Sequence, residues 1–142
     1  MKVVLRGATD LTVGIEYHHV GKDGSVNQKN FKMRADQIKP LVPSMGGALA
    51  TDRIMVDGMP IGYMYREAPE LPEDSGWRFF AGDEDQAYVD DSKNTSLYAV
   101  NTIANYDPDI IPYIDTPAPC AFEKIEGSRR YQPVENPGGE DA

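Results

Sequence analysis

Twelve residues near the middle of the chain decide the fold, and they read Asp74-Ser75-Gly76-Trp77-Arg78-Phe79-Phe80-Ala81-Gly82-Asp83-Glu84-Asp85. They contain the only Trp and two of the four Phe of the chain, and they end in three consecutive carboxylates. Side chains alternate across a strand, so Trp77 and Phe79 would share one face. Arg78 and Phe80 would share the other. We expect Trp77 and Phe79 to lie in a core, because aromatic side chains bury a large apolar area.

Short strands, turns and short helices are predicted on both sides of this stretch. Asp57-Gly58 lies between two apolar runs and predicts a hairpin of residues 53–56 and 59–66, because a type I′ turn needs positive φ at both central residues. After the strand at residues 77–81, carboxylates in the first turn favour a helix over residues 83–91, with Asp83 as its N-cap. Further predicted elements are a strand at 96–100, a short helix opened by Asp107-Pro108, and a last hairpin of 121–125 and 129–134.

The predicted elements indicate an α+β fold. We expect a mainly antiparallel β-sheet with two or three short helices in a single compact domain, because 142 residues suit one domain and 13 Gly with 11 Pro favour many turns. Residues 1–47 are predicted to be an N-terminal β-hairpin and short helix packed on the main domain. The main domain would cover residues 48–134, and residues 135–142 would be a disordered tail because they lack core side chains.

The charge of the chain is strongly uneven. Residues 1–66 carry a balance of +3 and residues 67–142 a balance of −12, which together give the net charge of −9. An acidic surface repels nucleic acid and anionic lipid, whereas it attracts a basic protein face and speeds its association. A solvated face that only keeps the protein soluble is the simpler alternative. We therefore expect a protein partner, and neither nucleic acid nor a membrane.

The sequence predicts a cytoplasmic protein. It has no apolar stretch of about 18 residues that could span a membrane, and the apolar run at its start is too short for a signal peptide. The single cysteine, Cys120, excludes an internal disulfide framework and fits a reducing compartment.

Residues suited to catalysis are scarce, and we expect no enzyme, cofactor or metal. His18 and His19 are the only histidines, and on a strand they would point to opposite faces. Cys120 has no histidine near it in sequence, so a small buried apolar role is expected for it. The carboxylates after Gly82 lack the alternate spacing that a calcium loop requires. A metal-dependent hydrolase is the weakest hypothesis.

Two sets of residues are candidates for binding. The first set combines the acidic stretch with its strand neighbours and would contact a basic partner: Arg78, Phe80, Asp83, Glu84, Asp85, Asp90 and Asp91. The second set would line a pocket for a small molecule and consists of Asn101, Asn105 and Tyr106. Paired amides near a bend more often bond to backbone groups, which is the alternative for Asn101 and Asn105.

Three stretches of the chain resemble immunity protein 33, a bacterial family of polymorphic toxin systems. They are residues 57–67 (DGMPIGYMYRE), residues 74–84 (DSGWRFFAGDE) and residues 101–108 (NTIANYDP). The resemblance covers about residues 48–125 and leaves residues 1–47 outside it. It implies a cytoplasmic, non-enzymatic antidote that binds a toxin domain and blocks it, with no catalytic residues to carry over. Many toxin domains are basic nucleases, and an acidic inhibitor can mimic the phosphates that they bind. A small-molecule-sensing or regulatory domain is the alternative.

Overall fold

A six-stranded mixed sheet forms the centre of the computed structural model, which describes residues 29–69 and 71–135. The strands are β1 (Gly47–Thr51), β2 (Tyr63–Arg66), β3 (Asp74–Phe80), β4 (Thr95–Ala99), β5 (Cys120–Lys124) and β6 (Tyr131–Pro133). Their order in the sheet is β4-β1-β3-β2-β5-β6. The β1–β3 pair is parallel and the other four pairs are antiparallel. The predicted α+β class and the single compact domain are confirmed.

Short helices connect the strands. In the described part of the chain the α-helices are α1 (Asp52–Met55), α2 (Gln86–Asp90) and α3 (Val100–Tyr106), and the 3-10 helices are Ala35–Gln37, Ser92–Asn94 and Pro108–Tyr113. Asp107 begins the last of these, and its carboxylate accepts a hydrogen bond from the amide of Asp109, as the Asp-Pro sequence predicts.

The sheet is buried on both faces. On one face, Trp77 and Phe79 are fully buried and pack with residues of α1, α3 and the 3-10 helix Pro108–Tyr113, which confirms their predicted core position. On the other face, Phe80 lies in a second apolar cluster with Tyr63 and Val89, the latter from α2. Because β3 is central in the sheet, its two rows of side chains form the middle of both clusters.

A bulge near the start of β3 interrupts its pairing with β1. Gly47 of β1 pairs with Asp74, whereas Leu49, two residues later, pairs with Arg78, four residues after Asp74. Gly76 lies in the extra turn of chain with φ +91°, and a Cβ there would lie 2.1 Å from the carbonyl oxygen of Glu67. Only glycine fits this position without strain. The bulge brings the side chains of Asp74 and Arg78 together.

The hairpin predicted at residues 53–66 is wrong. Residues 52–55 form α1, and the amides of Val56 and Asp57 both donate to the carbonyl of Asp52, at 2.8 and 3.0 Å. Gly58 has φ +78° and follows the helix end. A glycine with positive φ serves a helix C-terminus as readily as a hairpin turn, so the Asp57-Gly58 pair alone could not separate the two.

Two further boundaries differ from the prediction. Helix α2 begins at Gln86 with Asp85 as its N-cap, because the Asp85 carboxylate accepts from the amide of Tyr88 at 2.8 Å; Asp83 is not the cap. Strand β4 ends at Ala99, and helix α3 follows it directly, over residues where only a bend was predicted. The last hairpin is confirmed as β5 and β6.

Residues 29–46 lie against the main domain. Phe31 packs edge-on against Tyr98, with ring centroids 5.9 Å apart, and Val42 and Met45 pack against the core. A 3-10 helix occurs where the short helix was predicted, but residues 29–33 form no strand. The rest of the predicted N-terminal hairpin and the predicted tail from residue 136 lie outside the described residues.

Candidate functional site

One carboxylate of the acidic segment, residues 83–91, is buried. Glu84 is only 8% exposed, and its carboxylate accepts hydrogen bonds from the amides of Ala81 and Gly82, at 2.8 and 2.9 Å. It also accepts one from the hydroxyl of Thr51 in β1. These three bonds hold the turn that follows β3 against the neighbouring strand. Glu84 therefore positions the acidic segment, although it was predicted as a surface residue.

Asp83 lies at the surface in an ion pair with α1. Its carboxylate accepts two hydrogen bonds from the guanidinium of Arg53, which also donates to Asp57 at 2.9 Å. The bond from Arg53 holds the pKa of Asp83 below its usual value, and the bonds to Asp83 and Asp57 raise the pKa of Arg53. Arg53 therefore offsets part of the negative charge at this corner.

The other carboxylates of the segment are exposed and have local hydrogen bonds. Asp85 caps α2, Asp91 caps the 3-10 helix Ser92–Asn94 by accepting from the amide of Lys93 at 3.0 Å, and Asp90 accepts from the side chain of Gln86 at 2.9 Å. Local bonds of this kind fix the orientation of a carboxylate while its remaining lone pairs stay available.

We call the exposed carboxylates of this region the acidic surface and define it as Asp57, Asp83, Asp85, Asp90 and Asp91. Arg53 links the first two, and the other three lie at the two ends of α2. Tyr88 lies half-buried beside it, and burial together with the charges of Asp52, Asp57 and Glu84 raises the pKa of Tyr88 to about 12. Asp57 comes from the end of α1 and was missed in the sequence, because the hairpin prediction placed it in a turn far from residues 83–91.

Arg78 and Phe80 do not reach this surface. Both side chains are fully buried, and Arg78 forms two bonds of 2.9 Å to Asp74 and one of 2.8 Å to Glu67. Phe80 stacks on Tyr65, with ring centroids 5.8 Å apart. The structure therefore gives neither side chain access to a partner. The carboxylates that allow Arg78 to be buried depend on the bulge in β3, which the strand pattern did not reveal.

Asn101, Asn105 and Tyr106 lie together on α3 and bind the backbone of residues 33–42. The amide oxygen of Asn101 accepts from the amides of Leu41 and Val42, at 2.7 and 3.0 Å. Asn105 bonds to both the amide and the carbonyl of Lys39, at 2.9 and 2.8 Å.

The hydroxyl of Tyr106 accepts from the amide of Met33 at 3.1 Å. These polar groups are already used by the chain itself, which supports the backbone-bonding alternative over a small-molecule pocket.

A cavity of about 320 Å³ lies elsewhere, at the end of the sheet beside Asp83. It is lined by residues from the start of β2, the turn after β3 and the end of β5: Met59, Gly62, Tyr63, Phe80, Ala81, Gly82, Asp83, Glu84, Glu123 and Lys124. The predicted residues Asp83 and Glu84 are the link between this cavity and the acidic surface.

The described residues contain few groups suited to chemistry. No cluster of three or more His, Cys, Asp and Glu that could hold a metal ion occurs within residues 29–69 and 71–135. Cys120 is half-buried, and burial raises the pKa of its thiol, which disfavours the thiolate that a nucleophile requires. No helix in the same ranges is long and apolar enough to cross a membrane.

The sheet, the cavity and the acidic surface fall within one family match. Residues 48–135 match the family described as Immunity protein Imm33 domain, which is more than half of the chain. The chain belongs to this family. Neither a curated protein nor a solved structure matches it. The Imm33 match runs from within β1 to just beyond β6, whereas residues 29–46, which α3 holds in place, precede it.

Proposed function

We propose that this Imm33 protein is a non-enzymatic antidote that binds a cognate bacterial toxin in the cytoplasm and neutralises it. The family supports a protein toxin as the partner. The observation that carries the proposal is the acidic surface: its five carboxylates are exposed, and Arg53 offsets part of their charge through ion pairs with Asp57 and Asp83. A surface of this sign attracts a basic domain and repels nucleic acid and anionic lipid.

The acidic surface suits rapid binding because its carboxylates are held in place before a partner arrives. Asp85 and Asp91 are caps, and Asp83 is fixed by Arg53. Groups that are already oriented lose less conformational entropy on association. Charged groups at the edge of an interface mainly raise the association rate, and salt screens that effect.

The proposal is tested with the product of the neighbouring gene, which we expect to carry the toxin domain. The variant D85N/D90N/D91N removes three charges and keeps the caps, because Asn caps a helix about as well as Asp. We expect its association rate with the toxin to fall about tenfold or more at low salt and much less at high salt.

The matched control is D115N/E126Q/E135Q, which removes the same charge from exposed residues outside the acidic surface. Equal slowing by both triple variants would show that net charge, and not this surface, governs association. A toxin that remains active when the wild-type chain is co-expressed would overturn the proposed function itself.

The small-molecule alternative is less supported, because the three side chains proposed for its pocket have partners within the chain. Asn101, Asn105 and Tyr106 all bond to backbone groups of residues 33–42. A pocket role for them would require this segment to leave α3.

A further inference from the structure

Among the described strands, β4 forms one edge of the sheet, and alternate backbone groups of β4 point away from its neighbour β1. The amide of Val100 donates to the carbonyl of Gly46 at 3.2 Å, so residues 96 and 98 bond to β1 in the alternating pattern of an antiparallel pair. The amide and carbonyl of Leu97 therefore point outward. Within residues 29–69 and 71–135 they have no hydrogen-bond partner.

The side chains of β4 are nevertheless shielded from solvent. Leu97 is 8% exposed, and Ser96 and Tyr98 are each 3% exposed. The hydroxyl of Thr95 is buried as well and makes no hydrogen bond in the described part of the chain. Buried polar groups are almost always bonded in proteins. A shielded edge that carries unbonded backbone and hydroxyl groups therefore requires a further element beside it.

The opposite edge of the sheet is closed by the described residues themselves. The amide of Val134 donates to the carbonyl of Ala121, so the backbone groups of Tyr131 and Pro133 in β6 point outward. The Tyr131 amide donates to the hydroxyl of Tyr113 at 3.1 Å, and proline has no amide hydrogen. Strand β4 reads TSLYA, with neither a proline nor a charged residue, so it lacks the features with which proteins block a sheet edge.

The chain itself brings a segment to the β4 edge. The ammonium of Lys29, the first described residue, donates to the hydroxyl of Ser96 in the middle of β4 at 3.1 Å. Two residues later, the ring of Phe31 packs on that of Tyr98. The 28 residues that precede Lys29 therefore join the described structure beside β4.

One stretch of these 28 residues has the sequence pattern of a strand. Residues 12–17 read TVGIEY, so the apolar side chains of Val13, Ile15 and Tyr17 occupy alternate positions. Residues 22–25 read KDGS and predict a turn, because Asp and Gly favour the backbone conformations that turns require. Residues 29–31 run in the direction of β4, so a strand that precedes this turn would run antiparallel to β4.

We infer that residues 12–20 add to β4 as an antiparallel strand and complete this edge of the sheet. The added strand bonds to the amide and carbonyl of Leu97, and its alternate apolar side chains extend one face of the sheet. This inference goes beyond the proposed function, because it concerns residues outside the Imm33 match of residues 48–135. It assigns to the N-terminal extension the closing of an edge that could otherwise pair with another chain.

The first experiment maps the contact by NMR in the isotopically labelled full chain. We expect nuclear Overhauser effects between residues 96–98 and residues 12–20. We also expect the Leu97 amide to exchange at least about tenfold more slowly than an unstructured amide, because it is hydrogen-bonded. Contacts of residues 96–98 with a different segment, or an unprotected Leu97 amide, would overturn the inference.

The same approach distinguishes other occupants of the edge. In a mixture of labelled and unlabelled chains, the contacts between β4 and residues 12–20 should be absent from the intermolecular spectrum. Intermolecular contacts at β4 would show that a second copy pairs there, which would overturn the inference. Protection of the Leu97 amide that appears only after the product of the neighbouring gene is added would also overturn it, and would assign the edge to that partner.

The second experiment disrupts the added strand. The variant I15P should accelerate exchange of the Leu97 amide at least about tenfold, because proline is poorly tolerated inside a strand. The amide of Met64 in the central strand β2 should exchange as in the wild type. A8P is the matched control, since it places the same residue outside the alternating stretch, and it should leave both amides unchanged.

Equal exchange of the Leu97 amide in I15P and the wild type would overturn the inference. If I15P also accelerates exchange of the Met64 amide, the whole fold opens in that variant, and the nuclear Overhauser effects in the wild-type chain decide. Neither experiment depends on toxin neutralisation, so failure of this inference and failure of the proposed function are separate results.

Discussion

Arg78 and Asp74 form a bidentate ion pair inside the sheet, with both N–O distances at 2.9 Å and the Arg78 side chain fully buried. In a regular strand, residues four apart lie about 13 Å from each other. The bulge at Gly76 shortens that separation, so the two side chains can meet. Burial of the guanidinium lowers its pKa, but Asp74 and Glu67 outweigh this effect and raise it, so Arg78 stays charged.

Removing one partner of this ion pair should be costly. Among the described residues, the variant D74A leaves the buried guanidinium with the carbonyl of Trp77 and with one carboxylate, that of Glu67, whose side chain is 33% exposed. We expect the free energy of unfolding to fall by about 3 kcal/mol, because an uncompensated buried charge is strongly unfavourable. Urea denaturation measures the change. E67Q is the control and should cost about 1 kcal/mol or less, because solvent screens a partly exposed pair; equal losses would contradict this account.

Substitutions at two glycines with positive φ allow the cost of backbone strain to be measured apart from the cost of a steric clash. Gly76 and Gly127 have φ +91° and +79°, but a Cβ at Gly76 would lie 2.1 Å from the carbonyl oxygen of Glu67, whereas none of the described atoms lies within 4 Å of a Cβ at Gly127. We expect G127A to lower the free energy of unfolding by about 1 kcal/mol, from backbone strain alone. G76A should lose at least about 3 kcal/mol, because the bulge must also move. Similar losses for both variants would show that the clash relaxes easily.

The strand pattern predicted the centre of this fold correctly. Aromatic alternation placed Trp77 and Phe79 in the core, and this rests on local geometry that every strand shares. The same alternation placed Arg78 and Phe80 on the second face, but it could not show whether that face is covered. Coverage depends on α2, whose Val89 lies in the same cluster as Phe80, and on Glu67, which follows β2 and bonds to Arg78. Both are contacts between separate elements.

The acidic surface was predictable only in part. Four of its carboxylates lie within nine residues of the sequence, so we could expect them to be exposed together: Asp83, Asp85, Asp90 and Asp91. Asp57 joins them through Arg53, which bonds to Asp57 and to Asp83 from a helix thirty residues earlier. Glu84 differs from its neighbours because the turn directs it inward to Thr51, and no pattern of charges shows that.

The side-chain amides of Asn101 and Asn105 in α3 should protect the backbone of residues 39–42 from local opening. The variant N101A removes acceptors for the amides of Leu41 and Val42 and a donor to Lys39. A hydrogen bond contributes about 1 kcal/mol, so hydrogen exchange at Leu41 and Val42 should accelerate about fivefold or more, beyond any change at core amides.

T102A is the matched control, since Thr102 lies on the same helix and its side chain makes no hydrogen bond among residues 29–69 and 71–135. Unchanged exchange at Leu41 and Val42 in N101A would mean that apolar packing of Val42 and Met45, and not the amide, holds the segment.

The ion pair of Asp83 with Arg53 should make a small, pH-dependent contribution to stability. The pKa of Asp83 is lowered in the folded state below its usual 3.8, chiefly by the hydrogen bonds from Arg53. A group with a lowered pKa stabilises the fold above its unfolded pKa, and this stabilisation is lost as the pH falls through the folded value. At neutral pH we expect D83N to be less stable than the wild type by under about 1 kcal/mol, because the carboxylate is half-exposed.

That difference should stay constant from pH 7 down to about pH 5, and then shrink as the pH falls below 3.8 and Asp83 becomes protonated. Urea denaturation of both proteins at several pH values measures it. D115N is the control, because Asp115 is exposed and makes no ion pair in the part of the chain described. A difference between D83N and the wild type that is the same at pH 3 and pH 7 would contradict an electrostatic origin and point to a change in local packing.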